Sequence, residues 1–372
     1  MFHSFCDTDV FVAGGGPAGL AAAIAARQAG FTVTLADAAQ PPIDKTCGEG
    51  IMPDGLAALR RLGVTIPADQ AFPFAGIRFA DDRHSVSANF PQGFGLGIRR
   101  TRLHDIMADR ARQLGVTLHW GARVTGVHDE GVLVNGRKIR CRWLVGADGQ
   151  NSRIRYWSGL EASRSKKRRY GFRRHYRIEP WSEFVEVYWT RRGQVYVTPV
   201  ADDEICVALI THEQGVRLND ALATMPELAA HLDNGEIIDR EQGAITATFS
   251  LRAVHRGTRA LLGEASGSVD AITGDGLSMA FQQAQALAGA LRRCDLDSYR
   301  IAHRKIARMP RLMAELMLFM DRSEWFRRRA LCALATEPSL FSRMLAIHTG
   351  ALSPMEFGVQ GTLALGWHLI TA

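Results

Sequence analysis

The hydrophobic pattern opens with a short apolar run at 9–13 (DVFVA), of the kind a strand buried on both faces requires. It stops at Gly14-Gly15-Gly16-Pro17-Ala18-Gly19. An alanine-rich, helix-favouring stretch follows over 20–29, Gly30 ends it, and 31–36 (FTVTLA) reads as a second strand. Strand, glycine turn, helix and strand in that order predict the unit that opens a parallel sheet. Further along, 56–62 and 102–114 read as helices, 116–120 and 122–135 as short strands, and 143–147 (WLVGA) as another buried strand.

The character changes after Gly149. Between 170 and 210 the chain alternates strand-like pieces, YGFRRHYRI, FVEVYWT, QVYVTPV and EICVALI, with short turns between them. That is an antiparallel meander. With a period of two, Arg169, Gly171, Arg173, His175 and Arg177 share one face, and Tyr170, Phe172, Arg174 and Tyr176 share the other. One of these faces is expected to line a pocket, and charge alone does not say which. The pattern then predicts a helix over 218–233, a strand over 243–252 and a buried strand at 259–262. A second glycine-bearing turn follows over 263–276, and a helix over 277–291. From 297 to 347 the chain reads as helical, with Pro310 and Pro338 as breaks.

Composition narrows the class. The chain has 372 residues, 47% hydrophobic and 22% charged, which excludes a disordered chain, a collagen-like fibre and a multi-span membrane protein. No 18-residue stretch is uninterruptedly apolar, so no transmembrane helix is expected. The N-terminal segment has no basic stretch ahead of an apolar core, so a secretory signal is not expected. Six cysteines without C-x-x-C spacing suggest neither a zinc site nor a disulfide framework, and a reducing cytoplasm is the expected compartment. No metal site is expected.

The net charge of +7 is concentrated: 151–177 carries ten Lys/Arg against one Glu. Such a patch suits a phosphate-bearing cofactor, an anionic membrane surface or nucleic acid, or it is simply a solvated strand edge. No nucleic-acid recognition motif accompanies it, so nucleic acid is not an expected partner.

The chemistry begins at Gly14-x-Gly16-x-x-Gly19, placed directly after a strand and before a helix. Gly14 permits the tight turn, Gly16 lets a pyrophosphate approach the backbone, and Gly19 lets helix and strand pack closely. Asp37 ends the next strand, where a carboxylate can bond ribose hydroxyls. Together these predict dinucleotide binding.

Two later segments specify which dinucleotide. Gly146-Ala147-Asp148-Gly149-x-x-Ser152-x-x-Arg155 follows a strand, and Gly263-Glu264-Ala265-Ser266-Gly267 leads into Asp270-Ala271-Ile272-Thr273-Gly274-Asp275-Gly276-Leu277 and a helix. With these, residues 8–290 resemble the FAD-dependent aromatic hydroxylase superfamily, which includes the para-hydroxybenzoate hydroxylases and the geranylgeranyl reductases. The resemblance implies an α/β fold: a Rossmann-like FAD-binding domain, an antiparallel-sheet substrate domain and a helical C-terminus. The corresponding division is 1–160 (with substrate-side pieces inserted at about 65–100), 161–255, 256–295 closing the FAD domain, and 296–372.

The resemblance also implies site roles. Gly14, Gly16, Pro17, Ala18, Gly19 and Asp37 would hold the adenosine diphosphate half of FAD. Arg100 would brace the diphosphate, Val124 would meet adenine, and Asp148 and Gly149 belong to the second motif. Glu264 takes the ribityl role, although the family usually has Asp there, and Gly274, Gly276 and Leu277 sit at the flavin pyrimidine edge. Lys45, Cys47, Gly48 and Glu49 lie on the loop beside the isoalloxazine and resemble the reductase branch's CGxG segment. No second glycine fingerprint exists for a nicotinamide, which fits members that use NAD(P)H as a transient reductant.

His175, Tyr188 and Tyr196 of the meander are the candidate catalytic residues, placed to contact a substrate hydroxyl. The implied activity is monooxygenation of an aromatic, polyketide or lipid-like small molecule through a flavin hydroperoxide, with a C=C reductase as the alternative and a halogenase behind both. The segment 357–372, which has no Asp, Glu, Lys or Arg, and the basic stretch 164–177 suggest an apolar substrate and peripheral membrane contact. Oligomeric state is not legible.

Overall fold

The computed structural model describes residues 6–160 and 162–353, and for 162–167 the backbone only. The elements carrying the argument are, in chain order, β1 (Thr8–Ala13), α1 (Pro17–Gln28), β2 (Val33–Asp37), α2 (Pro53–Arg61), β3 (Gly76–Ala80), β4 (Ser85–Asn89), α3 (Arg100–Gln113), β5 (Thr117–Trp120) and β6 (Arg137–Gly146). They continue with β7 (Ala162–Arg177), β8 (Phe184–Thr190), β9 (Gly193–Ala201), β10 (Glu204–Thr211), β11 (Gln242–Leu251), β12 (Arg259–Leu261), α4 (Gly276–Arg293), α5 (Leu296–Ile306), α6 (Arg308–Arg322), α7 (Glu324–Thr336) and α8 (Pro338–His348).

Five of these strands form a parallel sheet in the order β12-β6-β1-β2-β5. Its central strands are apolar throughout, as burial on both faces demands: Val10, Phe11 and Val12 of β1 are completely inaccessible to solvent. Helices α1, α3 and α4 cover one face, where Leu20, Ile24, Leu103, Met107, Phe281 and Leu287 pack on Val10, Val12 and Leu35. The other face is covered by the hairpin Val124–His128/Gly131–Val134 and by Ile154, Leu160 and Ala265.

The second sheet runs β11-β7-β10-β9-β8-β3-β4 and is antiparallel except where β8 meets β3. Strands β3 and β4, drawn from the first part of the chain, complete its far edge. Register decides what each face does. Val187 pairs with Tyr196 and with Phe79, while Tyr188 pairs with Val195. The Val187–Tyr196 face therefore looks toward the parallel unit and the C-terminal helices. The other face, with Phe172, Tyr176, Val195, Val207 and Leu209, packs under the short helices at 218–232. That stretch is two helices, Leu218–Leu222 and Pro226–Leu232, where a single helix was expected.

The C-terminal helices roof the first of these faces. Leu331, Leu334, Phe341 and Leu345 pack against Ile77, Val185, Val187 and Trp189. Their breaks differ in part from the proline-based expectation. Pro338 starts α8, but Pro310 sits inside the first turn of α6, where its missing N–H has no intrahelical partner to lose. The actual breaks fall at Ala307 and at Ser323, whose side chain caps α7 by accepting from the Phe326 N–H.

The basic stretch is corrected by this packing. Arg169 and Arg173 are buried and Arg174 half-buried, and each meets a carboxylate: Asp270 and Asp321, Asp44 and Glu49, and Glu241 respectively. The exposed Arg177 pairs with Glu236. Of the basic residues between 151 and 177 whose side chains are described, Arg169, Arg173 and Arg174 thus form an internal ion-pair system. The uncharged segment 357–372 lies outside the described residues. Among those described, no single helix is long and apolar enough to cross a membrane.

Candidate active site

One cavity of about 780 Å³ runs from the first glycine turn, past the turn at 263–277, into the space between the second sheet and the C-terminal helices. Its first end is shaped by backbone constraint. Gly14 has φ of +108°, and a Cβ there would lie 2.4 Å from the Ala147 carbonyl oxygen, so the turn between β1 and α1 admits only glycine. Above Gly16, by contrast, the space is open except for the Arg100 guanidinium at 3.9 Å. Pro17 opens α1, whose free N–H groups face this space.

Arg100 Nε is buried with no hydrogen-bond partner among the described residues. An unmatched guanidinium N–H over an open glycine turn at a helix start is the donor set for a diphosphate. Gly48, Gly149, Gly274 and Gly276, all on the cavity wall, likewise leave their backbone faces open. The residues fit FAD.

The carboxylates nearby are already partly engaged. Asp37 accepts from the Gly15 N–H at 2.6 Å and from the Ala39 N–H at 2.7 Å, which locks the turn to the end of β2 while leaving lone pairs for a ribose. Asp148 accepts from Arg153 N at 2.8 Å and Ile154 N at 3.1 Å, holding the start of the next short helix. Glu264 is ion-paired with Lys45 across the cavity mouth. Val124, Gly149 and Leu277 line the wall, as does Cys47, whose Sγ accepts from Glu49 N at 3.4 Å.

Glu49 lines the same wall, with its carboxylate engaged by neighbouring donors. It is a buried non-glycine residue at φ +61°, and its carboxylate accepts from Arg100 N at 2.9 Å and Arg173 Nη1 at 2.9 Å. Its other oxygen lies 2.7 Å from His175 Nε2. Glu49 thus ties the start of α3 to the second sheet.

Two catalytic candidates are corrected. His175 does not reach the cavity wall: it is fully buried, with Nε2 against Glu49 and Nδ1 against Asp239, and Arg99 lies 2.9 Å from the same Nδ1. Its hydrogen-bonding capacity is consumed by structure. Tyr188 lies on the opposite face of the sheet and donates to Glu186 at 2.6 Å. The cause is strand parity, since adjacent residues of β8 face opposite sides. Tyr196 does line the cavity, and its hydroxyl donates to the Ile272 carbonyl at 2.7 Å; burial pushes its phenol well above the ordinary range.

Glu49, His175 and Cys206 bring their ligand atoms within 4.8 Å of one another. Arg173 already bonds Glu49, Arg99 lies against His175, and burial holds the Cys206 thiol well above its usual range, so the group is set up as an ion-pair node.

Sequence reading missed a second polar group at the far end of the cavity. Asp275, the residue before α4, and His348, the last residue of α8, both line the wall, with His348 Nε2 3.2 Å from Asp275 Oδ1. Asp54 of α2 stands close behind: burial first, and then the charge of Asp275, push its carboxyl up to about 6. Burial alone would lower the pKa of His348, but Asp275 and Asp54 override it and hold the imidazole above its usual value. No local motif announced His348; only the fold carries it back to a turn 73 residues earlier.

Around these groups the chamber is apolar. Met313, Leu316, Met317, Met320, Phe341 and Met344 face Phe74, Ile77, Phe79, Val185 and Val187.

Residues 7–294 match the family described as FAD binding domain. The chain belongs to that family. The diphosphate cradle and the three glycine-bearing turns fit that assignment. The chain is 36% identical over 157 residues to the menaquinone reductase of Mycolicibacterium smegmatis, covering 39% of this chain and 38% of that protein. It is 28% identical over 160 residues to the rifampicin monooxygenase of Rhodococcus hoagii, covering 40% and 33%. The chain thus matches less than half the length of these relatives. In fold it is similar to a flavoprotein/dehydrogenase from Cytophaga hutchinsonii, with a TM-score of 0.81 at 18% identity, covering 96% and 98% of the two chains.

Proposed function

We propose that this flavoprotein is an NAD(P)H-dependent monooxygenase that hydroxylates a phenolic or polyketide ring bearing a long apolar chain. The observation that carries the reading is the polarity of the cavity. In the chamber under the C-terminal helices, Tyr196, Thr273, Asp275 and His348 gather around the turn that precedes α4, opposite a wall rich in methionine, leucine, valine and phenylalanine. Such a chamber suits a ligand with a polar ring at one end and an aliphatic tail at the other. Methionine walls adapt to tails of different length.

FAD, when bound, supplies the electron transfer to dioxygen that hydroxylation requires. The chain's own residues hold it and exclude water. Gly14, Gly16 and the start of α1, with Arg100, would take the diphosphate, Asp37 the ribose, and Glu264 with Lys45 the ribityl chain. Gly274, Gly276 and Leu277 would meet the pyrimidine edge. Helices α6, α7 and α8 close the chamber against solvent.

A second reading, reduction of a C=C bond in a prenyl chain, is favoured by the identity shared with menaquinone reductase. One experiment separates the two: the FAD-loaded enzyme is reduced anaerobically with NADPH and mixed with an alkylphenol or a prenyl quinone, with and without ¹⁸O₂. The monooxygenase reading expects ¹⁸O in the phenol and no saturated prenyl product. A saturated prenyl product without oxygen incorporation would overturn it.

A further inference from the structure

Three elements far apart in the chain bring Asp54, Asp275 and His348 together against an apolar wall. Burying such a group is costly unless every polar atom finds a partner. Asp54 has one, since Gln282 Nε2 donates to it at 2.7 Å. The other two do not complete their bonding. Asp275 Oδ2 and His348 Nδ1 are each buried with no hydrogen-bond partner among the described residues. Thr273 Oγ1, also on the cavity wall, is a third such atom. A structural carboxylate can engage both its oxygens, as Glu49 does with Arg100 N, Arg173 and His175. Here unmatched atoms gather at one end of the cavity.

We propose that His348, oriented by Asp275, is the base that takes the proton from the substrate's ring hydroxyl. The proposal rests on the phenolic reading of the cavity. Asp275 Oδ1 faces Nε2 and so favours the tautomer with its proton there, leaving the Nδ1 lone pair free. The phenol O–H breaks, its proton passes to Nδ1, and the electron pair stays on the phenolate, whose ring is then richer at the carbons ortho and para to it. The imidazolium is held between Asp275 and Asp54 and returns the proton when the product hydroxyl re-forms. An imidazole held somewhat above its ordinary value by two acids is poised for this exchange near neutral pH. The groups facing it are Asp275, from the start of α4, and Asp54, from α2.

The test uses FAD-loaded enzyme and a probe whose ionisation is visible, a 4-nitrophenol carrying a hexyl chain. Bound to the parent, the probe is expected to ionise about one pH unit lower than in buffer, a tenfold shift in its equilibrium. His348→Gln should abolish that shift while retaining FAD and the parent's far-ultraviolet circular dichroism, and Asp275→Asn should reduce it. Histidine NMR of the loaded protein gives a second measurement: Asp275→Asn should lower the midpoint of His348. If His348→Gln ionises the probe as the parent does, the proposal is overturned and the phenolic reading stands. If the parent takes up no nitrophenol, the phenolic reading fails and the proposal with it. Should His348→Gln not fold, an Asp275→Asn variant with unchanged probe and His348 midpoints would also overturn the proposal.

Discussion

A Cβ on Gly19 would lie 1.8 Å from the carbonyl oxygen of Gly14, so α1 and the turn after β1 touch through bare backbone. Gly16, between them, has no such constraint: its backbone is extended at φ −69°, and its nearest neighbour is the Arg100 guanidinium at 3.9 Å. The two glycines therefore fail differently. Gly19→Ala is expected to prevent folding. Gly16→Val is expected to fold with the parent's far-ultraviolet circular dichroism and to lose FAD. A Gly16→Val variant that keeps one flavin per chain would remove the diphosphate from this turn.

Glu264 is paired with Lys45 at the cavity mouth. If its carboxylate also bonds the ribityl chain, Glu264→Ala should weaken FAD by about ten- to a hundredfold, the cost of losing a hydrogen bond to a charged group at roughly 1.5–3 kcal/mol. Glu264→Asp, the residue usual in the family, should bind at least as well as the parent. Flavin fluorescence titration measures both, and an unchanged dissociation constant for the alanine variant would take Glu264 out of the site.

Arg169 joins three parts of the molecule: Asp270 beside the turn before α4, Gln194 on β9 and Asp321 on α6. Arg169→Met leaves two buried carboxylates without their cation, and removing one partner of such a group costs on the order of 3–5 kcal/mol. Urea unfolding should show that loss. A variant within about 0.5 kcal/mol of the parent would mean the carboxylates find another partner.

Stability should fall as the pH rises from 4 toward neutrality at the cluster behind the cavity. Burial and Asp275 raise the Asp54 pKa to about 6 from an ordinary 3.8. The protonated form is thus favoured by folding, and that contribution is complete below the unfolded value and lost as pH climbs through 6. The raised pKa of His348 acts in the same direction, over the range above its ordinary value. Asp54→Asn should flatten the lower part of this dependence and stabilise the protein at pH 7.5 by on the order of 2 kcal/mol. Melting curves between pH 4 and 8 report it; a parent-like slope in the variant would assign the pH dependence elsewhere.

The dinucleotide unit was legible because its requirements are local: a run of buried strand residues, a turn that only glycine permits, and an acid at the next strand's end. The meander was legible for the same reason. What its faces do was not, because parity within a strand says which residues lie together and nothing about what covers them. Tyr188 and Tyr196 look alike in sequence, and only the register that pairs Val187 with Tyr196 separates them. His175 was a reasonable candidate until three charged groups, Arg99, Asp239 and Glu49, converged on it. His348 was invisible, since its meaning comes from α8 folding back onto the start of α4. Short-range chemistry shows in the sequence, and long-range pairing of charges shows only in the fold.

On the monooxygenase reading, reduced flavin in this cavity transfers one oxygen atom to an aromatic ring with a long apolar tail. The direct measurement is single-turnover product analysis: FAD-loaded enzyme reduced by one equivalent of NADPH without oxygen, then mixed with ¹⁸O₂ and an alkylresorcinol. The expected product carries one ¹⁸O on the ring and forms faster from long-chain than from chain-less phenols. Reoxidation with unchanged phenol, and peroxide as the sole product for every chain length, would contradict it.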